Sequence, residues 1–370
     1  MTLPTKKGGP AHRSEYLMIE SAEIQNFRLF ESLSLKGFRR VNLVVGDNGA
    51  GKTSFLEALF VAGVSNAEIG ARFRVWRSME MGPGSPQELY DGLYLSLFHN
   101  FERGRVGSII LKGSEEDTRT LKFYYDTGAP VLLPLTDQNL PPQLGQLYSP
   151  VAFEWTDSTG KTTKSMLQTQ PNGTLASSPT PPRGVDPTFL AARSPFNSSE
   201  NAKWFSDMSK QTNEGRFIKS LQEQFPEIED VRTEIELGKN TVFIKYKKAK
   251  RRIPINLVSE GMNKILTILL HIAHSERTAT YVDELENGIH FSRHEKMAEQ
   301  ILTFAREYNT QVFASTHSSE FLKSVVPVIK KHPQDFTFIR IFQENEVGKA
   351  AIIDGAKGVE LIEAGLELRV

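Results

Sequence analysis

The 370-residue sequence contains no cysteine and no excess of charge of either sign. Without cysteine it can form neither a disulfide framework nor a thiolate zinc site. Its 44 basic residues are balanced by 44 acidic ones, so the net charge gives no general argument for nucleic-acid binding. The N-terminus has no signal-peptide pattern, and together with the missing cysteine this indicates a cytoplasmic protein.

Long apolar runs and sequence repeats are also missing. The longest apolar stretches, such as residues 265–270, fall far short of the roughly 20 residues that a membrane-spanning helix needs. No heptad pattern is present between residues 63 and 190, which excludes a coiled-coil arm there. We therefore expect a globular protein with no membrane as a partner.

A glycine-rich loop lies between a short β-branched run at 41–45 and a helical pattern at 54–62. Residues 46–53 read GDNGAGKT, which matches the phosphate-binding pattern Gly-x4-Gly-Lys-Thr in full. Backbone N–H groups in such a loop, and the positive end of the following helix, surround phosphate oxygens. Lys52 is expected to reach the β- and γ-phosphates of ATP, and the Thr53 hydroxyl is expected to bind Mg²⁺. The predicted nucleotide-binding residues of the loop are Asn48, Gly49, Ala50, Gly51, Lys52, Thr53 and Ser54.

An acidic half of the site follows the apolar run at 278–282. Asp283 is expected to hold Mg²⁺ through water, and Glu284 to orient and deprotonate the attacking water. Lys52 and Asp283 are 231 positions apart. A large insertion must therefore separate the two motifs, as it does in ATPase heads of the ABC type. The alternative is a strand followed by a solvated acidic turn.

Two further elements support an ABC-type head. Ser259, Glu260 and Gly261 open a helical pattern just before the acidic strand, with Ser259 placed as an N-cap. In an ABC dimer this helix start faces the γ-phosphate bound by the other subunit. His317 ends a strand-like run that begins at residue 311, where a switch histidine would contact the γ-phosphate. A plain capped core helix and a structural histidine are the alternatives.

A basic segment at 245–252 has six basic residues in eight. We expect it to be a turn between two strands, at which Lys247, Lys248, Arg251 and Arg252 could contact DNA phosphates. A solvated turn that binds nothing is an equally weighted alternative.

These motifs, together with IQNFRLF at 24–30, DELENGIH at 283–290 and STH at 315–317, resemble the RecF/SMC-like branch of ABC ATPases. More closely, they resemble the ATPase heads of the OLD (overcoming lysogenization defect) family. The resemblance covers residues 19–62 and 186–325. It implies an α/β fold, namely an ABC-type P-loop ATPase head with a mixed sheet.

The resemblance also implies a dimer of two heads that encloses two ATP molecules, each phosphate loop facing residues 259–261 of the other head. Arg28 lies where related heads place an arginine near the nucleotide. The sequence departs from the family at Glu260, which replaces a glycine of the signature, and at His290, which replaces the aspartate of transport-type relatives. The segment at 189–197 occupies the usual glutamine-loop position but offers no glutamine.

The expected organisation is an ATPase core that is split by an inserted lobe. The predicted boundaries are a flexible tail at 1–17, the core at 18–62 and 225–345, the inserted lobe at 63–224 (β-rich over 63–190 and helical over 198–224), and a C-terminal segment at 346–370.

OLD-type nucleases continue into a TOPRIM nuclease domain, whereas this sequence ends at Val370, so we expect no nuclease activity of its own. Stand-alone heads of this type resemble the ATPase subunits of bacterial anti-phage systems. The leading hypothesis is therefore a slowly hydrolysing ATPase dimer that regulates a separate effector, a nuclease or a toxin. The alternative is a DNA-repair or DNA-binding ATPase of the RecF/SMC kind. A transporter subunit fits poorly, because the motif separation is too long.

Overall fold

The structure is a computed structural model. It describes residues 18–64, 66–77, 86–113, 117–128, 131–132, 147–169, 175–178, 187–192, 198–210, 214–275, 278–366 and 368. The predicted tail at 1–17 and most of the glutamine-loop position, from 193 to 197, lie outside these residues.

The described strands and helices follow the chain in this order. The strands are β1 (Ser21–Phe27), β2 (Phe30–Lys36), β3 (Val41–Val45), β4 (Gly107–Lys112), β5 (Thr118–Tyr125), β6 (Val131–Leu132), β7 (Leu147–Tyr148), β8 (Val151–Thr156), β9 (Thr162–Thr169), β10 (Leu175–Ser178), β11 (Thr188–Leu190), β12 (Ile228–Glu236), β13 (Lys239–Tyr246), β14 (Ile253–Pro254), β15 (Ala279–Val282), β16 (Gln311–Ser315), β17 (Phe336–Glu344) and β18 (Val347–Asp354). The α-helices are α1 (Lys52–Gly63), α2 (Ile69–Trp76), α3 (Pro86–Tyr94), α4 (Ser198–Lys210), α5 (Glu214–Gln224), α6 (Glu260–His274), α7 (His294–Glu307), α8 (Ser319–Lys331) and α9 (Gly355–Glu363).

A six-stranded mixed sheet carries the site, in the order β11-β15-β16-β3-β17-β18. Its first five strands pair in parallel, and β18 pairs antiparallel with β17. Every residue of β3, β15 and β16 is buried, which is typical of parallel strands covered on both faces. The carboxyl ends of these three strands therefore meet at one edge of the sheet.

The two faces of this sheet belong to two hydrophobic cores, because successive side chains of a strand point to opposite sides. On β3, Leu43 and Val45 lie in the core formed with α6, α7 and α8, whereas Val44 lies in the core formed with α1. On β15, Val282 and Tyr281 divide in the same way. The helix α1 contacts β16 on one side and β4 and β5 on the other. It is therefore held between the mixed sheet and a second sheet.

The second sheet is antiparallel and has seven strands, in the order β10-β9-β8-β5-β4-β1-β2. It joins β1 and β2 from the predicted core to strands from the predicted β-rich lobe. Another strand of that lobe, β11, pairs with β15 in the mixed sheet. Most of the described lobe strands thus extend sheets that also contain core strands, whereas the short strands β6 and β7 pair with each other in a separate two-stranded sheet. The division into core and lobe stays a prediction.

The remaining elements surround the site. The helices α4 and α5 occupy the predicted helical region, and α4 packs on α6 and β13. The strands β12, β13 and β14 form a small sheet whose last turn contains the basic segment. No helix among the described residues is both long and apolar enough to cross a bilayer. The predicted α/β fold with a mixed sheet is confirmed.

Candidate nucleotide-binding site

The phosphate loop connects β3 to α1, as the sequence predicts. Its three glycines have positive φ: 147° at Gly46, 81° at Gly49 and 109° at Gly51. A Cβ atom at Gly46 would lie 2.1 Å from the backbone oxygen of Ile341 on β17. Because a side chain at this position would collide with backbone, only glycine allows the loop to turn here.

The Lys52 ammonium is folded back across the loop. Its Nζ donates hydrogen bonds of 2.8 Å to the backbone oxygens of Gly46 and Asp47. The side chain is buried, and this burial lowers the pKa of Lys52, an effect that the nearby Asp283 carboxylate opposes. Charged phosphate oxygens are stronger acceptors than carbonyls. A phosphate group in the loop can therefore take over these hydrogen bonds.

Asp283 lies at the carboxyl end of β15 and faces the phosphate loop. The Thr53 hydroxyl donates to its Oδ2 at 2.9 Å, and the Ser315 hydroxyl donates to its Oδ1 at 2.6 Å. Burial raises the pKa of Asp283, while both hydroxyl donors lower it by stabilising the ionised carboxylate. The structure thus brings together Thr53 and Asp283, the two residues predicted to bind Mg²⁺.

Glu284 has an unusual backbone conformation, with φ at 51°. Its N–H donates to the Ser315 hydroxyl at 2.8 Å, and its carbonyl accepts a 2.6 Å hydrogen bond from Lys264 Nζ. The side-chain amide of Asn287 donates to the Glu284 carboxylate. Non-glycine residues with positive φ persist where the surroundings fix them, and they cluster at functional sites. The predicted general base is therefore fixed through its N–H, its carbonyl and its carboxylate.

His317 follows β16 at the same edge of the sheet. Its backbone N–H donates to Glu286 Oε1 at 3.2 Å, and its Nδ1 lies 3.5 Å from the same oxygen. The Glu286 side chain is buried and its Oε2 has no hydrogen-bond partner among the described residues. The structure places His317 beside the acidic turn, which follows β15 and contains Asp283, Glu284 and Glu286. A contact between His317 and a γ-phosphate stays a prediction.

Ser259 caps α6, and its side chain accepts a 3.4 Å hydrogen bond from the backbone N–H of Met262. A Cβ at Gly261 would lie 2.7 Å from the backbone oxygen of Gly288, so the helix start packs closely on the loop that follows Glu284. Ser259 itself is exposed to solvent. The predicted cap is confirmed, and a contact with a second subunit's nucleotide stays a prediction.

Arg28 is engaged elsewhere. Its Nε lies 2.9 Å from Glu57 Oε2 on α1, and its guanidinium stacks near the rings of Phe27 and Phe73. Burial lowers the pKa of Arg28 to about 10, although the Glu57 carboxylate opposes this. The structure therefore places the Arg28 side chain in an ion pair with α1. A contact with the nucleotide, which the sequence predicts, would require this pair to open.

The basic turn connects β13 to β14, as expected. Lys247, Lys248 and Arg251 are exposed. Arg252 differs, because it pairs with Asp230 at 3.3 Å and with Glu234 at 3.0 Å on β12. Part of the positive charge is thus neutralised within the small sheet, and DNA contact by the four predicted residues stays a prediction.

Sequence reasoning gave no role to several residues of this site, among them Ser315, Lys264 and Glu286. Ser315 is brought to Asp283 because parallel strands β15 and β16 end at the same edge, and this adjacency could have suggested it. Lys264 and Glu286 carried no comparable signal, since their roles depend on how α6 and the acidic turn pack together.

Two family models match the chain. One is described as "AAA domain", with the further label "AbiEii toxin, Type IV TA system", and matches residues 174–323. The other is described as "AAA ATPase domain" and matches residues 18–71. Both halves of the site described above lie in these ranges.

Among curated proteins, the chain is similar to an "ATP/GTP phosphatase" of Helicobacter pylori, at 24% identity over 354 residues, covering 85% of this chain and 89% of the relative. Shorter similarities link it to "DNA replication and repair protein RecF" of Lachnoclostridium phytofermentans, at 38% identity over 58 residues, 16% of each chain. The RecF of Clostridium novyi is 32% identical over 108 residues, 26% of this chain and 28% of that one. These similarities and the family models support an ATPase of the AAA/ABC type that is related to RecF.

Solved structures with a loosely similar fold include SMC heads. One, an SMC head bound to the C-terminal winged-helix domain of ScpA, has a TM-score of 0.47 and 15% identity, covering 91% of this chain and 98% of that one. Another, from Pyrococcus furiosus, has a TM-score of 0.46 and 13% identity, covering 94% of this chain and 98% of that one.

Proposed function

We propose that this chain is a cytoplasmic ATPase that binds ATP with Mg²⁺ and hydrolyses it slowly in a dimer. The observation that carries the proposal is the convergence of the phosphate loop with the carboxyl end of β15. There the Thr53 hydroxyl lies 2.9 Å from the Asp283 carboxylate. Burial lowers the pKa of Lys52, and the nearby Asp283 charge opposes this effect. Thr53 and Asp283 are 230 positions apart in sequence. An acidic turn that only faced solvent would not need to contact the phosphate loop.

The residues present fit a magnesium ion. Mg²⁺ prefers oxygen ligands and is usually held by one or two protein groups together with substrate phosphates. The Thr53 hydroxyl and the Asp283 carboxylate, with Oγ1 and Oδ2 2.9 Å apart, are such a pair. When bound, the ion would neutralise charge on the β- and γ-phosphates.

The chain's own groups account for the remaining requirements of hydrolysis. The phosphate loop and Lys52 position the triphosphate with backbone donors and a positive charge. Glu284 accepts a proton from the attacking water, and the Asn287 amide orients its carboxylate. His317, whose Nδ1 lies 3.5 Å from Glu286 Oε1, would donate a hydrogen bond to the γ-phosphate.

The surface around the start of α6 supports a dimer. Leu257, two residues before the cap, is 76% exposed, and Phe291 in the neighbouring loop is 54% exposed. Packing of these two side chains against a second head would remove their apolar surface from water. The start of α6 packs closely on the acidic turn, where Gly261 meets the backbone of Gly288. A second head placed against this surface would bring its own nucleotide near Ser259.

We further propose that the dimer is the regulatory subunit of a bacterial anti-phage complex, with a separate nuclease or toxin as effector. This rests on the resemblance of the motifs to OLD-type heads, and the toxin–antitoxin label of one family model is compatible with it. ABC-like switches use ATP mainly to set conformation, through contacts that differ between two states. An effector held silent by one nucleotide state fits that chemistry.

The second candidate is a DNA-repair ATPase. It is favoured by the RecF similarities and by the exposed basic side chains of Lys247, Lys248 and Arg251. Binding to duplex or junction DNA by the purified protein, dependent on ATP and falling steeply with salt, would support it.

The catalytic proposal is tested by comparing nucleotide binding and hydrolysis in two variants. Lys52→Ala should lose ATP binding, because the loop loses its positive charge. Glu284→Gln should bind ATP with little change, lose steady-state hydrolysis and accumulate as a dimer. Glu320→Gln, an exposed residue in the first turn of α8, is the matched control. Full hydrolysis by the Glu284 variant would remove the general-base assignment, and a wild-type protein that binds no ATP would refute the whole proposal.

Co-purification from the native host distinguishes the two biological roles. Tagged Glu284→Gln in ATP and tagged Lys52→Ala are compared by mass spectrometry. A nuclease or toxin-like protein enriched with only one variant would support the effector complex. Repair factors and nuclease-sensitive DNA, without a dedicated effector, would support the RecF-like role.

A further inference from the structure

A buried lysine lies one turn into α6. Lys264 is only 4% exposed, although lysine is almost never fully buried unless it is paired. Its Nζ donates a 2.6 Å hydrogen bond to the backbone oxygen of Glu284. Burial lowers the pKa of Lys264 to about 8, against the opposing effect of the surrounding carboxylates. A methyl-terminated side chain would fill this space without that desolvation penalty, so hydrophobic packing does not explain the charge.

The carbonyl that Lys264 holds belongs to the residue with the left-handed backbone. A positive φ at a non-glycine residue costs of order 1–3 kcal/mol and needs surrounding contacts to persist. At Glu284 those contacts include the Ser315 hydroxyl on the N–H and Lys264 on the carbonyl. The direction of the Glu284 side chain follows from its backbone conformation. Loss of the carbonyl contact would therefore move the carboxylate.

Lys264 also joins two parts of the site that otherwise belong to different elements. Ser315 and Glu284 are both at the sheet edge, whereas Lys264 comes from α6, whose first residue, Glu260, is exposed. The same helix packs against the acidic turn where Gly261 meets Gly288. The acidic turn is thus attached to α6 at two points, so a displacement of the helix start is carried to Glu284.

We propose that Lys264 is a positioning residue that holds the Glu284 backbone and couples the start of α6 to the catalytic carboxylate. Its contact is with the backbone oxygen of Glu284. Its role rests on the proposed function, because it acts through the general base of that reaction. Docking of a second head against Ser259 would move α6 and bring the Glu284 carboxylate into its working position through this bond.

Lys264→Met tests the proposal, since it keeps an unbranched apolar stem in place of the lysine methylenes and removes only the terminal ammonium donor. The dissociation constant for ATP is expected to stay within about threefold, while kcat falls by about 10- to 100-fold, the scale of a misplaced catalytic group. Lys264→Arg, which keeps the charge and donors, should restore part of kcat. Lys296→Met on α7 is the matched control, because its ammonium pairs at the surface with Glu223 at 3.0 Å.

A double variant separates positioning from a merely structural role. In Glu284→Gln, the further change Lys264→Met should leave the residual single-turnover rate of hydrolysis unchanged, because both act through one group. Losses that multiply in the double variant, an unchanged kcat in Lys264→Met, or equal losses of binding and kcat would each overturn the inference. If the methionine variant does not fold, Lys264→Gln, whose side chain is one atom shorter than that of lysine, is measured in the same assays and judged by the same outcomes. A wild-type protein without hydrolysis refutes the proposed function, whereas normal hydrolysis by the folded Lys264 variants refutes only this inference.

Discussion

Glu57→Leu is expected to lower the free energy of unfolding by about 3–5 kcal/mol, the cost of leaving a buried charge without its partner. Glu57 is buried on α1 and receives two guanidinium groups: Arg28 at 2.9 Å and Arg77 at 2.9 Å. The two arginines differ in exposure, since the Arg28 side chain is 8% exposed and that of Arg77 39%. Arg77 can turn to water after the substitution, but Arg28 cannot. The unpaired Arg28 charge therefore dominates the loss.

Two companion variants make the reasoning quantitative. Arg77→Met should cost about 1 kcal/mol or less, because a half-exposed ion pair is screened by solvent and Glu57 keeps Arg28. The double variant Arg28→Met with Glu57→Leu should be more stable than Glu57→Leu alone by about 2 kcal/mol or more, since it removes the orphaned charge. The single and double variants thus separate loss of a pair from exposure of one buried ion.

Urea and thermal unfolding, each with and without ATP, measure these differences. The loss in Glu57→Leu corresponds to a fall of roughly 5 °C in Tm for a chain of this size. A loss below about 1 kcal/mol, or a double variant no more stable than Glu57→Leu, would show that Arg28 is not buried as described. A larger stabilisation by ATP in Glu57→Leu than in the wild type would show that the released Arg28 reaches the nucleotide, as the sequence predicts.

Three further predictions concern the loop, the helix cap and a buried histidine. Gly46→Ala should abolish ATP binding in calorimetry, because its Cβ would lie 2.1 Å from a backbone oxygen. Gly49→Ala is the control and should retain more binding, since its Cβ would have nothing within 4 Å. Equal losses of binding in the two variants would contradict this prediction. Ser259→Ala should lower the free energy of unfolding by about 1 kcal/mol through loss of the α6 cap, and an unchanged melting curve would argue against that cap. Burial lowers the pKa of His271 to about 3, so this residue is neutral in the folded state but charged in the unfolded state below about pH 6.5. The free energy of unfolding should therefore fall as the pH drops from 6.5 towards 3. Between pH 6.5 and 5, urea titrations should show that His271→Leu loses about 2 kcal/mol less of this free energy than the wild type. Identical pH profiles of the two proteins would refute the assignment.

Much of the site could be predicted because it is encoded locally. Residues 46–53 determine their own loop, since the glycines, the lysine and the threonine act within eight consecutive positions. Asp283 and Glu284 follow an apolar strand directly, and Ser259 precedes an apolar helical pattern. Each of these signals depends on neighbours within a few residues, so the sequence by itself determined the phosphate loop, the acidic strand end and the helix cap.

The partners of those groups were decided only by the tertiary structure. Ser315 reaches Asp283 because β16 pairs with β15, and Lys264 reaches Glu284 because α6 packs on the acidic turn. Arg28 was expected at the nucleotide, but the packing of β1 against α1 pairs it with Glu57. In the same way, strands that read as a separate lobe pair with β1 and β15, because an open strand edge is satisfied by whichever edge lies beside it. Such contacts join residues that are tens to hundreds of positions apart, so no local sequence pattern predicts them.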